Sequence, residues 1–438
     1  MMRTIDLRGE DLEAAELRAV LPRAETDVDE ASHAVRPILE RVKREGLAAI
    51  GELTEQFDLV RPPSLRVPQD VLDQALAHLD AGLRAALTEA IDRTRQGHRA
   101  QLPQEGQTDL APGAQVRQRW VPVQRVGLYV PGGLAVYPSS VVMNVVPAQV
   151  AGVTSLALAS PPQQDNDGWP DATILATCAL LGVDEVYAVG GAQAVGMFAY
   201  GLQGADDADR CDPVDVITGP GNNYVAAAKR AVLGLVGIDA EAGTTEIAVL
   251  ADDSANADYI AADLISQAEH DPAAASVLIT DSEVLATRVL EAIEEQVPGA
   301  RHTQRIRTAL SGPQSAVVLV EDLDHGLTVT NSYAAEHLQI HTRAARDVAD
   351  RVHNAGAIFV GPYSPVPLGD YIAGSNHVLP TGGTARFASG LGVQAYLKSV
   401  QVIEYDANAL AEVTDPLVTL AQAEDLPAHG TAAQWRRR

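Results

Sequence analysis

From residue 126 onward the chain alternates short apolar runs with helical stretches, and this alternation leaves few folds open to it. Residues 126–130, 155–159, 185–189 and 214–218 are strand-like, while 139–152, 172–181 and 223–233 carry helical periodicity. The alternation resumes with strand-like 247–251, 276–280, 316–320 and 357–360, interleaved with helical 256–270, 282–296 and 343–354. Strand–helix–strand units of this length fold into parallel sheets with helices on the faces. The expected fold class is α/β with mostly parallel sheets, in two blocks that separate near residues 237–246.

The flanks are different. Residues 1–30 are polar and poorly periodic, and 33–46, 47–57 and 68–96 repeat apolar residues at helical spacing. Residues 101–118 suggest a loop or hairpin. After 391 comes an extended stretch, 400–405, and a terminal helix, 406–424. That tail is too small to stand alone, so it must dock on the body or on a partner subunit. At 438 residues, two or more domains are expected. No apolar run approaches the roughly 20 residues of a membrane span, and the opening residues lack the apolar core of a signal peptide. Cys178 and Cys211 cannot build a disulfide framework, so cytoplasmic residence is the default expectation. Cys178 sits in an apolar run and reads as core filler. The net charge of −26 disfavours nucleic acid and anionic membranes as partners, and the acidity reads as surface solvation. The terminal Arg436-Arg437-Arg438 is too short for a basic arm and reads as a frayed tail.

Against this background a set of polar residues stands out. Gln267 and His270 lie three apart near the end of a helix, so they share a face and can converge on one ion. A histidine capping the negative end of the helix dipole is the bland alternative. Glu336-His337 follows Asn331-Ser332-Tyr333, which resembles a capped helix start; such a pair can divide proton transfers, although Glu-His pairs are common on surfaces. Gly369-Asp370-Tyr371 and Gly374-Ser375-Asn376-His377 follow the strand at 357–360, beyond the C-terminal end where open α/β sheets place their ligand crevice. Alone, His429 would be dismissed as a tail residue. The imidazole, carboxylate and amide groups suit an N/O-ligated divalent metal beside an acid/base pair. In the other block, VGLYVPGG (126–133), GGAQAV (190–195) and GPGNNY (219–224) put glycines at strand-to-helix turns, where backbone N–H groups can approach a phosphate or ribose. None is a GxGxxG fingerprint, and none is followed by the expected acidic residue.

Taken in order, VGLYVPGG, GGAQAV, GPGN with its following Lys-Arg, SQAEH, AAEHLQI, GDY…GSNHVLPT and the terminal LPAH resemble the histidinol dehydrogenase family over residues 30 to 430. The resemblance implies two related, incomplete Rossmann-like domains with small terminal segments, and a homodimer whose C-terminal segments are exchanged. The implied organisation is an N-terminal segment, 1–30; a first domain, 31–132 with 247–390, carrying the zinc and acid/base residues; a second, 133–246, carrying the NAD contacts; and a dimerisation segment, 391–438. By motif match Zn2+ would be held by Gln267, His270, Asp370 and His429, the last from the partner subunit. Glu336 and His337 match the acid/base pair. Thr245, His377 and Glu424 match substrate positions, joined there by His337 and the metal ligands, and Tyr129, Gln193 and Asn222 match the NAD+ contacts. The implied reaction is the four-electron oxidation of L-histidinol to L-histidine via histidinal, closing histidine biosynthesis. One departure is Thr244, where the family usually has Pro, although Thr245 keeps the hydroxyl. A relative oxidising another amino- or hydroxy-substituted alcohol is the runner-up. A non-catalytic regulator would be expected to lack Glu336 or His337, and both are present.

Overall fold

The structure, a computed structural model, describes residues 2–24, 28–132, 136–204, 206–240 and 243–437; Gly133, the last residue of the VGLYVPGG turn, and Arg438 lie outside them. β1 (Arg3–Asp6) is followed by a helical region and then by the hairpin β2 (Gly106–Ala111) and β3 (Ala114–Pro122). Five strands come next: β4 (Arg125–Tyr129), β5 (Ser155–Ser160), β6 (Val186–Ala188), β7 (Val216–Thr218) and β8 (Gly237–Ile238). They form one parallel sheet in the order β6-β5-β4-β7-β8. A second series follows: β9 (Glu246–Ala251), β10 (Ala275–Thr280), β11 (Ala316–Leu319), β12 (His337–His341) and β13 (Ala357–Val360). These too are parallel, in the order β11-β10-β9-β12-β13, with β1 added outside β11. Both sheets wind alike: the first strand is central, the next two go to one side, and the last two to the other. β14 (Leu397–Tyr405) pairs antiparallel with β3, making a small three-stranded sheet.

Parallel strands buried on both faces need apolar residues at every position. β9 and β10 are buried throughout and largely comply, with Glu246, Ser276 and Thr280 as their buried polar exceptions. One core of the five-stranded sheet gathers Leu128, Val141, Leu158 and Ile174, and the other gathers Tyr187, Phe198 and Ile217. The six-stranded sheet is likewise packed on two sides, by Ile247, Leu264 and Val289 and by Leu250, Leu327 and Ile340.

Several expectations need correction. Residues 31–132 were grouped with the second series of strands, yet their helices cover the five-stranded sheet instead. Val28–Glu45 and Leu47–Asp58 pack on Gly191–Tyr200, and Val28–Glu45 also packs on Asn223–Val232. Gln69–His78 packs on Ala172–Leu180 and Ala81–Arg99 on Pro138–Ala151, and β4 itself belongs to that sheet. Periodicity identifies a buried stripe but not the sheet that covers it. Asn331-Ser332-Tyr333 ends the helix Leu323–Tyr333 rather than starting one; Ala334, at φ +51°, turns the chain toward β12. The helix expected over 343–354 shortens to Ala345–Ala349. His270 lies just past the helix Ala257–Ala268, Asp370 sits in the short helix Val366–Tyr371, and His429 is in the helix Pro427–Trp435.

Candidate active site

Parallel strands bring like ends together. Thr245 immediately precedes β9, which begins at Glu246; Glu336 immediately precedes its neighbour β12, which begins at His337, in register with Ile247. Four polar side chains thus share the N-terminal edge of the six-stranded sheet. The helix Ala257–Ala268 runs back from the far end of β9 and delivers Gln267, then His270, to the same edge. The helix Val366–Tyr371 does the same for Asp370 after β13. The segment after β13 therefore leads to the N-terminal edge of this sheet and not to a crevice beyond its C-terminal strand ends, because the returning helices bring Gln267, His270 and Asp370 there.

The contacts follow one path, hydrogen-bonded at both ends and joined at His337 by two looser 3.6 Å ion-pair contacts. Gln267 Nε2 donates to Thr245 Oγ1 at 2.6 Å, and Thr245 Oγ1 donates to Glu336 Oε2 at 2.6 Å. Glu336 Oε2 also accepts from the Glu246 backbone N–H at 2.8 Å and lies 3.6 Å from His337 Nδ1. That Nδ1 is 3.3 Å from the Glu246 carbonyl, while His337 Nε2 is 3.6 Å from Asp370 Oδ1. The Asp370 carbonyl meets His377 Nδ1 at 2.9 Å, and His377 Nε2 reaches Ser140 Oγ at 3.1 Å. Ser140 is on the helix that follows β4, so the path crosses from one sheet's unit to the other. Asn376 Nδ2 reinforces the crossing by donating to the Met143 carbonyl at 2.7 Å.

Burial and neighbouring charge set the protonation states. Burial pushes Glu336 well above the usual carboxylate range, only partly offset by the His337 charge beside it. Burial opposes a charge on His337, but Glu336 and Asp370 outweigh it and raise the imidazole above its ordinary value. Burial also works against the charge of Asp370, yet His337 and the nearby His377 and His270 hold its carboxyl low. Burial lowers both His270 and His377, favouring neutral rings. An ionised carboxylate and a neutral imidazole are the forms that can ligate a cation.

Whether these residues fit a metal is answered by Gln267. It is 1% exposed; its Nε2 is spent on Thr245, and its Oε1 is buried with no partner among the described residues. A buried amide oxygen without a donor is costly unless it faces a cation or a ligand. The amide oxygen, the His270 imidazole and the Asp370 carboxylate therefore suit a zinc-like ion. Among the described residues, no three His, Cys, Asp or Glu side chains stand together as a metal cluster. His429 and Glu424 do not join Gln267, His270 and Asp370. Both are exposed on the C-terminal helices and, among the described residues, share no hydrogen bond or ion pair with the others.

The three residues matched to NAD contacts lie on the other sheet, at its C-terminal edge. Tyr129 ends β4, and its hydroxyl accepts from the Gly191 N–H at 3.1 Å. Gln193 is in the first turn of the helix Gly191–Tyr200, 1% exposed, with Nε2 unpartnered among the described residues. Asn222, exposed, caps the helix Asn223–Val232 by accepting from the Tyr224 and Val225 N–H groups. Gly219 (φ +122°) lets this turn press on the end of β4: a Cβ there would stand 2.0 Å from the Tyr129 carbonyl oxygen.

Sequence reading missed the groups that hold this machinery. Arg23 donates to both Glu246 oxygens, at 3.0 and 2.8 Å, and lies 4.2 Å over the Tyr333 ring. Lys229, buried beside Asp239, donates to the Gly219 carbonyl at 3.0 Å, while Asp239 accepts from the Gly219 N–H at 2.8 Å. Ser140 was part of an unremarked helix. Arg23 and Ser140 have partners distant in sequence, and the Lys-Arg after GPGN was noted without the contacts that Lys229 makes to Gly219 and Asp239.

Comparison with known proteins places the chain among its relatives. The family model described as histidinol dehydrogenase matches residues 21–437. A histidinol dehydrogenase of Thermobifida fusca is 62% identical over 432 residues, covering 99% of this chain and 97% of its own. One from Mycolicibacterium smegmatis is 58% identical, covering 99% and 98%. The crystal structure of histidinol dehydrogenase from Elizabethkingia anophelis superposes with a TM-score of 0.91 at 30% identity, over 99% of this chain and 98% of that one.

Proposed function

The chain belongs to the histidinol dehydrogenase family, and from that premise we propose that it oxidises L-histidinol to L-histidine through histidinal, with two NAD+ and one water, as the last step of histidine biosynthesis. It is an NAD-dependent oxidoreductase acting on a CH–OH group. The observation that carries the finer reading is the path from Gln267 to Ser140, which joins the ligating edge of one sheet to the helix behind the cofactor edge of the other.

Gln267 Oε1, His270 and Asp370 would hold zinc, with His429 supplied by a second copy of the chain. Bound zinc would anchor the substrate's imidazole and amine, and NAD+, held by Tyr129, Gln193 and Asn222, would take up hydride. His337 is the proton acceptor in both oxidations. With Nδ1 against the Glu246 carbonyl, its Nε2 is buried without a hydrogen-bond partner among the described residues and lies 3.6 Å from Asp370 Oδ1. Burial opposes the charge, but the flanking carboxylates raise the imidazole to about 9, so the neutral ring that can accept a proton is the form alkaline pH favours. Glu336 activates water between the two oxidations; its raised pKa leaves a base able to take and return a proton near neutrality. Thr245 and His377 line the substrate, and Glu424 of the second copy joins them. Both cysteines are buried and have raised pKa values, which favours hydration of the aldehyde over a thiohemiacetal route.

A homodimer follows from the same assignment. Leu420, Leu426 and Trp435 are exposed on the C-terminal helices that carry Glu424 and His429, as expected for a face that a second copy covers. Among the described residues no helix is long and apolar enough to cross a membrane; we assign the protein to the cytoplasm and expect no nucleic-acid partner. The deciding experiment counts NADH formed per L-histidinol consumed, with zinc-loaded protein and a chelated control. Two NADH, lost on chelation, is the expected result. No turnover by folded, zinc-bound protein would transfer the proposal to a different alcohol.

A further inference from the structure

Dinucleotide-binding sheets of this winding place an acidic side chain at the end of the second strand, where it accepts hydrogen bonds from the ribose diol. Here the second strand, β5, ends in Ser160-Pro161-Pro162 and offers no acid. The third strand, β6, is followed by Val189-Gly190-Gly191 and offers none either. A carboxylate nevertheless stands there. Asp58, the last residue of the helix Leu47–Asp58, comes from outside the sheet. A Cβ on Gly190 would be 3.1 Å from Asp58 Oδ1 and 2.7 Å from Pro161 Cβ, so the side chain sits over the junction of the β5 and β6 turns. Gln164 pins the position by donating to the Leu59 carbonyl at 2.9 Å.

Asp58 Oδ2 is buried and has no hydrogen-bond partner among the described residues. The residue after Gly190, Gly191, ties this place to the assigned cofactor contacts: its N–H donates to the Tyr129 hydroxyl, which senses the Asp58 charge, and a Cβ on it would be 2.8 Å from Gln193 Oε1. A buried carboxylate oxygen left bare is costly for a structural role and suited to a ligand carrying hydroxyls.

We propose that Asp58 accepts the vicinal hydroxyls of a dinucleotide ribose and thereby selects NAD+ over its 2′-phosphorylated counterpart, which a carboxylate at this position would repel. The proposal rests on the cofactor site assigned above. Asp58 makes no covalent bond and takes no part in proton transfer; it is a specificity residue. Burial raises its pKa to about 6, so it is ionised at neutral pH.

The test compares kcat/KM for NAD+, 2′-deoxy-NAD+ and NADP+ in wild type and Asp58→Asn. Loss of a hydrogen bond to a charged group corresponds to about 10- to 100-fold. The wild type should lose that factor with 2′-deoxy-NAD+ and more with NADP+. Asp58→Asn should lose it with NAD+ while treating NAD+ and 2′-deoxy-NAD+ nearly alike. The wild-type comparison needs no variant, so misfolding cannot mask the answer. Equal use of NAD+ and 2′-deoxy-NAD+ by wild type, or an unchanged ratio in Asp58→Asn, overturns the assignment. Gln193→Ala separates the two readings. A raised KM for NAD+ in Gln193→Ala beside an unaltered Asp58→Asn removes Asp58 alone; an unaltered KM in both removes the cofactor site as well.

Discussion

Replacing Gly97 by Ala should cripple the enzyme even though alanine is the better helix former. Gly97 lies in the helix Ala81–Arg99, where the exchange would ordinarily stabilise by about 0.5–1 kcal/mol. The added Cβ, however, would stand 2.1 Å from the Gly374 carbonyl oxygen. Ordinary C···O contacts begin at about 3.3 Å, so the two backbones must separate by about 1.2 Å. Neither can relax by turning a side chain, and Gly374 (φ +87°) also approaches the Arg93 carbonyl, one turn earlier on the same helix. Gly374 lies between Asp370 and His377, whose mutual hydrogen bond makes the segment move as one piece. Forced overpacking of this kind costs about 1–3 kcal/mol, cancelling the helix gain or exceeding it. The larger effect is on chemistry, since a displacement of about 1 Å in a ligating or substrate-positioning group costs on the order of 10²-fold in rate. We expect kcat/KM for L-histidinol to fall about 100-fold, and zinc per subunit after gel filtration to fall with it. Gly299→Ala, where the added methyl would meet nothing within 4 Å, is the control and should stay near wild type. Gly97→Ala with full zinc and activity within twofold of wild type would refute the reasoning.

Other perturbations test other parts of the site. Glu336→Gln should spare the first oxidation and suppress the second, so that histidinal accumulates in single-turnover assays; equal loss in both steps would sink the division of labour. His429→Ala should lose zinc and activity, and dimers mixed with a Gln267→Ala subunit should recover part of both; no recovery counts against a shared site. Lys229→Met strands the buried Asp239 carboxylate and should cost about 3–5 kcal/mol in denaturant melts, whereas Lys229→Met with Asp239→Leu should recover most of it. Equal loss in single and double variants would exclude that explanation. For Asp58 the folded pKa, about 6, lies above the ordinary 3.8. Its stabilising contribution is therefore full below about pH 4 and lost as pH rises through 6. At pH 8, Asp58→Asn should be about 1–2 kcal/mol more stable than wild type after allowance for partial exposure, with the gap closing by pH 4. A pH-independent difference would mean that the carboxyl is not perturbed.

The sheets were legible because parallel strands buried on both faces must be apolar throughout, as the β9 run Glu246–Ala251 is after its first residue. The family was legible as an ordered set of motifs rather than from any pair of them. What could not be read was direction. Gln267 and His270 were correctly placed at a helix end, but nothing local told which edge of which sheet that helix reaches. The same limit hid the helices of residues 28–99, whose apolar stripes fit either sheet equally well. Asp58 escaped for another reason: it is one of many acidic residues in a strongly acidic chain, and only three-dimensional packing leaves its oxygen bare.

The addition of β1 to the far edge of the six-stranded sheet has a consequence for how the molecule is made. Arg3 donates to the Pro313 carbonyl across a separation of 310 residues, and β1 finds its partner only in β11. All five strands of the other sheet, with their covering helices, lie before residue 239. On a ribosome that sheet's strands can pair while β10 and β11 are still untranslated, although Val378, Leu391, Val393 and Tyr396 complete one of its cores only later. Residues 3–24 must wait throughout, and Arg23 waits for Glu246, whose backbone grips both Glu336 and His337. The catalytic edge is thus finished by a segment translated long before its partners and seated only after they emerge.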